Sequence, residues 1–134
     1  MSDDAVEAAA REVGERLFAE RGHYRLDMLR QMDPGFAGLF EAWCYGGLYV
    51  RGVLDDRVRE LCAVAALIPV NRPSVIETHL KAALRCGATR EEVLEVIFQS
   101  AVYAGMPDCL STLDQFKRLE EAGEFGGLGP SYQV

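Results

Sequence analysis

Apolar residues recur every three or four positions along most of this chain, which is the spacing that places them on one face of an α-helix. No stretch alternates apolar and polar residues between hairpin turns, so no β-strand is predicted. Capping residues, prolines and glycines divide the pattern into separate helices. These helices are predicted at about 2–22, 33–47, 55–69, 73–87, 89–105 and 107–121.

The elements predict an all-α fold of six or seven helices, which form a single domain over residues 1–122. The segment "LDDRVRELCAVAALIPV" is apolar on every side in its second half, which is typical of a central, buried helix. The final segment, "GEFGGLGPSYQV", is rich in glycine and has no apolar periodicity. We therefore expect residues 123–134 to form a flexible tail or to lie over a neighbouring surface.

Composition and charge exclude several classes of partner. The chain has 134 residues, of which 49% are hydrophobic, and this is the balance of a globular domain. Its net charge is -7 and its 14 basic residues do not cluster, so no nucleic-acid partner is expected. The longest apolar run, residues 61–70, is about half of the ~20 residues that a membrane-spanning helix requires, so no membrane partner is expected. The acidic N-terminus does not resemble a secretion signal, which predicts a cytoplasmic location.

The cysteine pattern bears on metal and redox chemistry. The four cysteines, at positions 44, 62, 86 and 109, form no CxxC motif, so neither a zinc site nor a dithiol pair can be assembled locally. The cysteines therefore predict no metal site and no dithiol redox site. Cys62 and Cys109 lie in apolar surroundings and are interpreted as packing residues.

Two polar residues stand within otherwise apolar helical segments. His79 borders the apolar stripe of its helix, where it is either a structural histidine with satisfied ring nitrogens or a group that transfers protons near neutral pH. Glu60 lies immediately before a wholly apolar stretch. It either stabilises a helix N-terminus or is a desolvated acid that takes part in proton transfer. Spacing alone leaves both alternatives open.

Arginines flank the same two segments. Arg51, Arg57 and Arg72 are either solvated charges or a clamp for an acidic substrate, because a guanidinium matches a carboxylate with two parallel hydrogen bonds. Their exposure decides between these two interpretations.

The segment "HLKAALRCGATREEVLEVIFQSAVYAGMP", residues 79–107, resembles the carboxymuconolactone decarboxylase family, whose members carry "HLRAALxNGVTxEEIxEVxxQxAVYAGxP". The capping box, the glycines and the proline fall in the same register. The resemblance extends over roughly residues 33–120. It implies an alkylhydroperoxidase D-like helical subunit that assembles as a homotrimer or homohexamer, with sites at or near subunit interfaces.

The resemblance implies two possible chemistries. The better-known decarboxylases of the family remove carbon dioxide from a small carboxylated unsaturated lactone in aromatic-compound catabolism, without metal or organic cofactor. Peroxide-reducing members instead use a CxxC pair together with a glutamate and a histidine. Glu60 and His79 match that glutamate and histidine, whereas Arg72 and Val75 stand at the cysteine positions. Peroxidase activity is therefore not expected, because the thiol nucleophile is missing.

The hypothesis is a cofactor-independent decarboxylase whose partner is a small carboxylated lactone similar to 4-carboxymuconolactone. In it His79 delivers a proton to carbon, Glu60 orients His79, and Arg51 or Arg72 binds a substrate carboxylate. An isomerase, a lactone hydrolase or a cyclisation enzyme on the same scaffold is the first alternative. A non-catalytic binding protein is the second.

Overall fold

The computed structural model describes residues 2–133, without the side chains of residues 20–24. The described residues form seven α-helices and no β-strand, which confirms the all-α class. The helices are α1 (Asp3–Phe18), α2 (Glu20–Met32), α3 (Pro34–Trp43), α4 (Asp56–Leu67), α5 (Pro73–Arg85), α6 (Arg90–Ala104) and α7 (Met106–Glu121). A π-helical turn at Cys44–Leu48 extends α3, and a 3-10 turn at Ile68–Val70 extends α4.

Four helices begin at the side-chain caps that the sequence predicts. Oxygen atoms of Ser2, Asp33 and Asp55 each accept a hydrogen bond from the backbone N–H three residues later, at 3.3, 3.0 and 2.8 Å. Thr89 and Glu92 form the predicted capping box, in which each side chain accepts a hydrogen bond from the backbone N–H of the other residue. Such caps each contribute about 1 kcal/mol and determine where a helix begins.

The N-terminal segment contains two helices where the sequence predicts one that ends near Gly22. The break falls at Ala19, which has a positive φ of 51°, and α2 follows directly. The stretch "ERGHYRLDMLRQM" consists mainly of good helix formers but has too few apolar residues to show a periodic stripe. Its Leu26 is buried nevertheless. Local propensity and packing therefore form a helix that the hydrophobic pattern does not reveal.

The chain divides into two compact units, residues 1–54 and 55–134, and the single domain over residues 1–122 stays a prediction. The division is invisible in the sequence because the segment that joins the units, residues 49–55, is short and has no polar linker composition. The first unit contains α1, α2 and α3, which pack against one another. Its buried apolar side chains are Ala10, Val13, Leu17, Phe18, Leu26 and Ala37.

The second unit contains α4 to α7. Helix α4 packs against α5 and α6, and α7 packs against the same two helices. Its core is formed by Val64, Ile68, Ile76, Leu80, Ala83, Leu84, Val93, Ile97, Phe116 and Phe125. None of the helices in the described part of the chain has the length and apolar content that crossing a bilayer demands.

The C-terminal segment is packed against the second unit, which is the second of the two arrangements that its sequence allows. Phe125 is 1% exposed, and its ring lies 5.0 Å from that of Phe116 and 5.4 Å from that of Tyr132. The Gly127 N–H donates to the Tyr132 carbonyl at 2.7 Å, which closes the segment into a loop. Two aromatic side chains without helical spacing thus contribute to the attachment of the tail.

Replacing Gly129 by alanine is expected to lower the free energy of unfolding by roughly 2–4 kcal/mol, as measured by urea denaturation. Gly129 has a φ of 64°, and an added Cβ would lie 2.2 Å from the Leu84 carbonyl oxygen. Gly127→Ala is the matched control, because Gly127 has a φ of 76° but its Cβ would meet nothing within 4 Å. That variant should lose only about 1 kcal/mol. Equal losses in both variants would show that the tail does not press against α5.

Glu120 joins the tail to α6 through three hydrogen bonds, two from Arg90 and one from Tyr132, and these predict a pH dependence. The Arg90 Nε–H and the Tyr132 O–H both donate to Glu120 Oε1 at 2.5 Å. The hydrogen bond from Arg90 holds the pKa of Glu120 below its ordinary value of 4.5. Because the folded-state pKa is lowered, the pair contributes stability above pH 4.5 and loses it as the pH falls further.

Glu120→Gln should therefore destabilise the protein by about 0.5–1 kcal/mol at pH 7, and the difference from the unmodified chain should diminish as the pH falls below 4.5. Thermal unfolding across that pH range measures it. Glu121→Gln is the control, since Glu121 is exposed and its oxygen lies 3.8 Å from Lys117 Nζ. A Glu120→Gln difference that stays constant with pH would contradict the assignment to the ionised carboxylate.

Candidate active site

The candidate site is built on α4 and α5, two helices of the second unit that pack side by side. The cap at Asp55 sets the start of α4, so that Glu60 and Val64 fall on one face, one turn apart. Both residues are 0% exposed. A carboxylate thus lies within the apolar core, where it requires hydrogen-bonding partners because an unpaired buried charge is costly.

His79 supplies such a partner from α5. Its Nδ1 lies 2.6 Å from Glu60 Oε2. The imidazole side chain is 17% exposed, whereas the glutamate side chain is sealed from solvent. The neighbouring residues Ile76 and Leu80 are buried and hold the helix against the core. The structure therefore brings together the two polar residues that the sequence singled out, nineteen positions apart, one deep and one reaching the surface.

The bond between the two side chains holds a proton. Either the His79 Nδ1–H donates to an ionised Glu60, or a protonated Glu60 donates to Nδ1. In both arrangements the contact fixes the plane of the imidazole ring, because the glutamate is itself immobilised by burial. A histidine whose Nδ1 is held in this way is able to use its second nitrogen, Nε2, for acid or base chemistry.

The two arginines predicted to bind substrate are both exposed. Arg72 is the N-cap residue of α5 and precedes His79 by seven residues, which corresponds to about 10 Å along the helix axis on the same face. Arg51 belongs to the first unit, in the bend after the π-helical turn. Of the two, only Arg72 shares a compact unit with Glu60 and His79. The exposure of Arg51 and Arg72 is compatible with both interpretations, a solvated charge and a contact with substrate.

A groove of about 350 Å³ lies between α4 and α6, and it is named the α4/α6 groove below. It is lined by Val58, Leu61, Cys62, Ala65, Pro69, Val96, Gln99, Ser100, Tyr103 and Ala104. The lining residues do not include Glu60, His79 or either predicted arginine. The apolar half of α4 is therefore not buried on every side as predicted, because one of its faces forms a wall of this groove.

The cysteines are free thiols with different environments. Cys109 is buried, which confirms it as a packing residue, but Cys62 is exposed, so the packing interpretation is wrong for that residue. Cys44 and Cys86 are partly buried. Among the residues that the structure describes, no group of three or more His, Cys, Asp and Glu side chains is arranged to hold a metal ion.

Among the ion pairs that were not predicted from the sequence, two involve residues within or next to apolar segments. Arg57 Nη1 lies 2.7 Å from Glu92 Oε1 and links α4 to α6, so this arginine is already held by a carboxylate of the same chain. In the first unit the guanidinium of Arg30 lies 2.7 Å from the carboxylate of the buried Glu41. A signal for the second pair is visible in the sequence, because Glu41 is the one charged residue within the apolar run "FAGLFEAWCYGG".

The part of the chain that carries Glu60 and His79 is similar to a known protein family. The sequence profile of the carboxymuconolactone decarboxylase family matches residues 34–118, which include Glu60, Arg72 and His79. The chain belongs to the carboxymuconolactone decarboxylase family. The match begins at α3 and ends within α7, so it spans parts of both compact units.

Several known proteins are similar to this chain at 27–36% identity. The 4-carboxymuconolactone decarboxylase of Acinetobacter baylyi is 27% identical over 108 residues, which cover 80% of this chain and 81% of the relative. The nitrosuccinic acid decarboxylase npaB of Metarhizium robertsii is 28% identical over 75 residues, which cover 56% of this chain and 52% of the relative. A protein of Paracoccus denitrificans, named uncharacterized protein 4 in cox locus, is 36% identical over 74 residues, which cover 51% and 67% of the two chains.

Proposed function

We propose that this chain is a decarboxylase that removes carbon dioxide from a small substrate carrying a carboxylate next to an electron-accepting group. The observation that carries the proposal is the 2.6 Å contact between the buried Glu60 and the partly exposed His79. Two relatives named as decarboxylases support the reaction class. The chain's own residues supply proton transfer and orientation, and the electron sink belongs to the substrate, so no cofactor is included in the proposal.

The reaction is a loss of carbon dioxide followed by protonation. The bond between carbon and the carboxylate breaks, carbon dioxide leaves, and the electron pair passes through the double bond onto the carbonyl oxygen of an unsaturated lactone. His79 then delivers one proton to the ring carbon from Nε2, which restores the lactone, and takes up a proton from solvent afterwards. Glu60, which accepts the Nδ1–H, stabilises the protonated imidazole before the transfer and keeps the ring aimed.

The substrate class that we propose is a small dicarboxylate. The names of two relatives contain 4-carboxymuconolactone and nitrosuccinic acid, and each of these compounds carries two carboxyl groups and an electron-accepting carbonyl or nitro group. One carboxylate is lost, so the second one is available for an arginine clamp. Arg72 is the better placed candidate because it lies on the His79 face of α5, and Arg51 is retained as the alternative.

Purified protein should be incubated separately with 4-carboxymuconolactone and with nitrosuccinate, while released carbon dioxide and product mass are followed beside a no-protein control. We expect a product that is lighter by the mass of carbon dioxide with one of the two substrates. A product of unchanged mass would favour an isomerase, and addition of water would favour a lactone hydrolase. Recovery of both substrates unchanged, with saturable binding, would favour a non-catalytic binding protein.

Arg72→Gln is expected to raise KM about 10- to 100-fold with a smaller change in kcat, because a charge-assisted hydrogen bond contributes about 1.5–3 kcal/mol. Steady-state kinetics on the substrate identified above measures the change. Arg51→Gln, examined in parallel, decides which of the two arginines binds the carboxylate. Arg118→Gln is the control, since Arg118 is exposed on α7 and pairs with Asp114. An unchanged KM in both Arg72→Gln and Arg51→Gln would exclude the clamp.

We also propose that the working form is a cytoplasmic homo-oligomer, a homotrimer or a homohexamer. Large apolar side chains exposed on α6 and α7 support self-association: Phe98, Val102, Tyr103, Met106 and Leu110. Light scattering at micromolar concentration tests the oligomeric state, and a strict monomer would contradict it.

A further inference from the structure

Arg72 has no ion-pair partner among the residues that the structure describes. Arg57, by contrast, is held by Glu92 at 2.7 Å. The exposed guanidinium of Arg72 is therefore available for a substrate carboxylate. Because an arginine side chain has many rotamers, the precision of such a clamp depends on how the backbone at residue 72 is held.

Backbone hydrogen bonds hold Arg72 from both sides of its own segment. The preceding residue, Asn71, has a left-handed φ of 54°, a conformation that asparagine adopts more readily than most residues. Its N–H donates to the Ile68 carbonyl of the 3-10 turn at 3.1 Å. The N–H groups of Val75 and Ile76 each donate to the Arg72 carbonyl at 3.0 Å. All of these bonds are local to the connection between α4 and α5.

A side chain from a distant helix reaches the same turn. Gln115 of α7 donates from its amide nitrogen, Nε2, to the Pro73 carbonyl at 2.6 Å, although the two residues are 42 positions apart. Pro73 directly follows Arg72 in the chain. Gln115 is half-buried, and the next residue, Phe116, is 2% exposed. Because Phe116 is fixed in the core, α7 is a rigid support, and the bond from Gln115 ties the first turn of α5 to it.

We propose that Gln115 is a positioning residue, which acts on the substrate through Arg72 by holding the start of α5 in place. This inference rests on the decarboxylase and the Arg72 clamp proposed above. Without the bond from Gln115, the first turn of α5 frays more readily, as helix ends do when they lose tertiary contacts. The guanidinium then samples a wider set of positions and binds the carboxylate less tightly. His79, two turns further along α5, is anchored separately by Glu60, so proton delivery is kept.

Gln115→Met tests the proposal by steady-state kinetics, because methionine has nearly the same length but no N–H to donate. We expect KM to rise about 2- to 10-fold, the effect of one neutral hydrogen bond. The value of kcat should change little, because the clamp binds the substrate and the transition state alike. Lys117→Met is the matched control, since Lys117 is exposed on the same helix and lies 3.8 Å from Glu121. A fall in kcat with KM unchanged, or an equal rise of KM in both variants, would overturn the proposal.

A double-mutant cycle on KM decides whether Gln115 acts through Arg72. In an Arg72→Gln background, Gln115→Met should cause no further rise in KM, because the charge that Gln115 positions is already gone. A merely structural role of Gln115 would raise KM by the same factor in both backgrounds, and that result would overturn the proposal.

Backbone amide hydrogen exchange of the full chain, followed by NMR, tests the same bond without a substrate. The amides of Val75 and Ile76, which donate to the Arg72 carbonyl, should exchange about 2- to 10-fold faster in Gln115→Met than in the unmodified chain. The Val93 amide, in the first turn of α6, is the internal control and should not change. Unchanged exchange of the two α5 amides would overturn the positioning role whatever the activity. Absence of turnover by the unmodified chain would instead overturn the decarboxylase and, with it, the clamp.

Discussion

His79→Asn is expected to lower kcat for decarboxylation about 100- to 10,000-fold, the range that a general acid or base typically contributes. The asparagine amide is able to donate to Glu60 from a position close to that of Nδ1, so the buried carboxylate keeps a partner. The variant has no group at the position of Nε2, and proton delivery to the substrate carbon is lost. The loss should therefore appear in turnover and not in folding.

The measurement is carbon dioxide release by His79→Asn under saturating substrate, together with its thermal unfolding. Glu77→Gln is the control on the same helix, because Glu77 pairs with Lys81 at 2.8 Å on the surface side of α5. That variant should retain nearly full turnover. A folded His79→Asn protein with undiminished kcat would exclude His79 as the proton donor and leave its contact with Glu60 a structural one.

Removal of Glu60 has the second large expected effect, and it acts on stability. Glu60→Ala should lower the free energy of unfolding by about 3 kcal/mol, because it breaks a buried polar pair and leaves His79 Nδ1 without its 2.6 Å contact to the carboxylate. Glu60→Gln keeps the volume and should cost less, about 1 kcal/mol. Urea denaturation of the two variants measures both values.

Glu60→Gln separates the positioning role from the structural one. An amide stabilises a protonated imidazole less than a carboxylate does, and the loss of a charge-assisted bond of about 1.5–3 kcal/mol corresponds to a decrease of about 10- to 100-fold in kcat. KM should change little, because Glu60 is sealed from solvent. A fully active Glu60→Gln protein would restrict Glu60 to a structural role.

A double-mutant cycle tests whether the two side chains act as a pair. The destabilisation of Glu60→Ala combined with His79→Ala should be clearly smaller than the sum of the single losses, since the double variant leaves neither polar group buried alone. Strictly additive losses would contradict the coupling that the 2.6 Å contact implies.

Helix starts are the part of the fold that local sequence predicts well. Ser2, Asp33, Asp55 and the Thr89–Glu92 capping box all begin helices, because each cap requires only residues within one turn of itself. The hydrophobic pattern does not predict helix α2, because this helix depends on contacts with distant residues. Its polar sequence carries no periodic stripe, and burial of Leu26 depends on neighbouring helices.

The sequence by itself determined the helical class, the helix caps and the presence of Glu60 and His79 as polar residues in apolar segments, all of which follow from residue types at short spacing. Only the tertiary structure decided that these two side chains meet, that Glu41 is buried beside Arg30, and that the C-terminal tail is packed. The physical reason is distance along the chain. The contacts of Glu60 with His79 and of Arg30 with Glu41 join residues nineteen and eleven positions apart, and their formation depends on how whole helices pack, which no local pattern encodes.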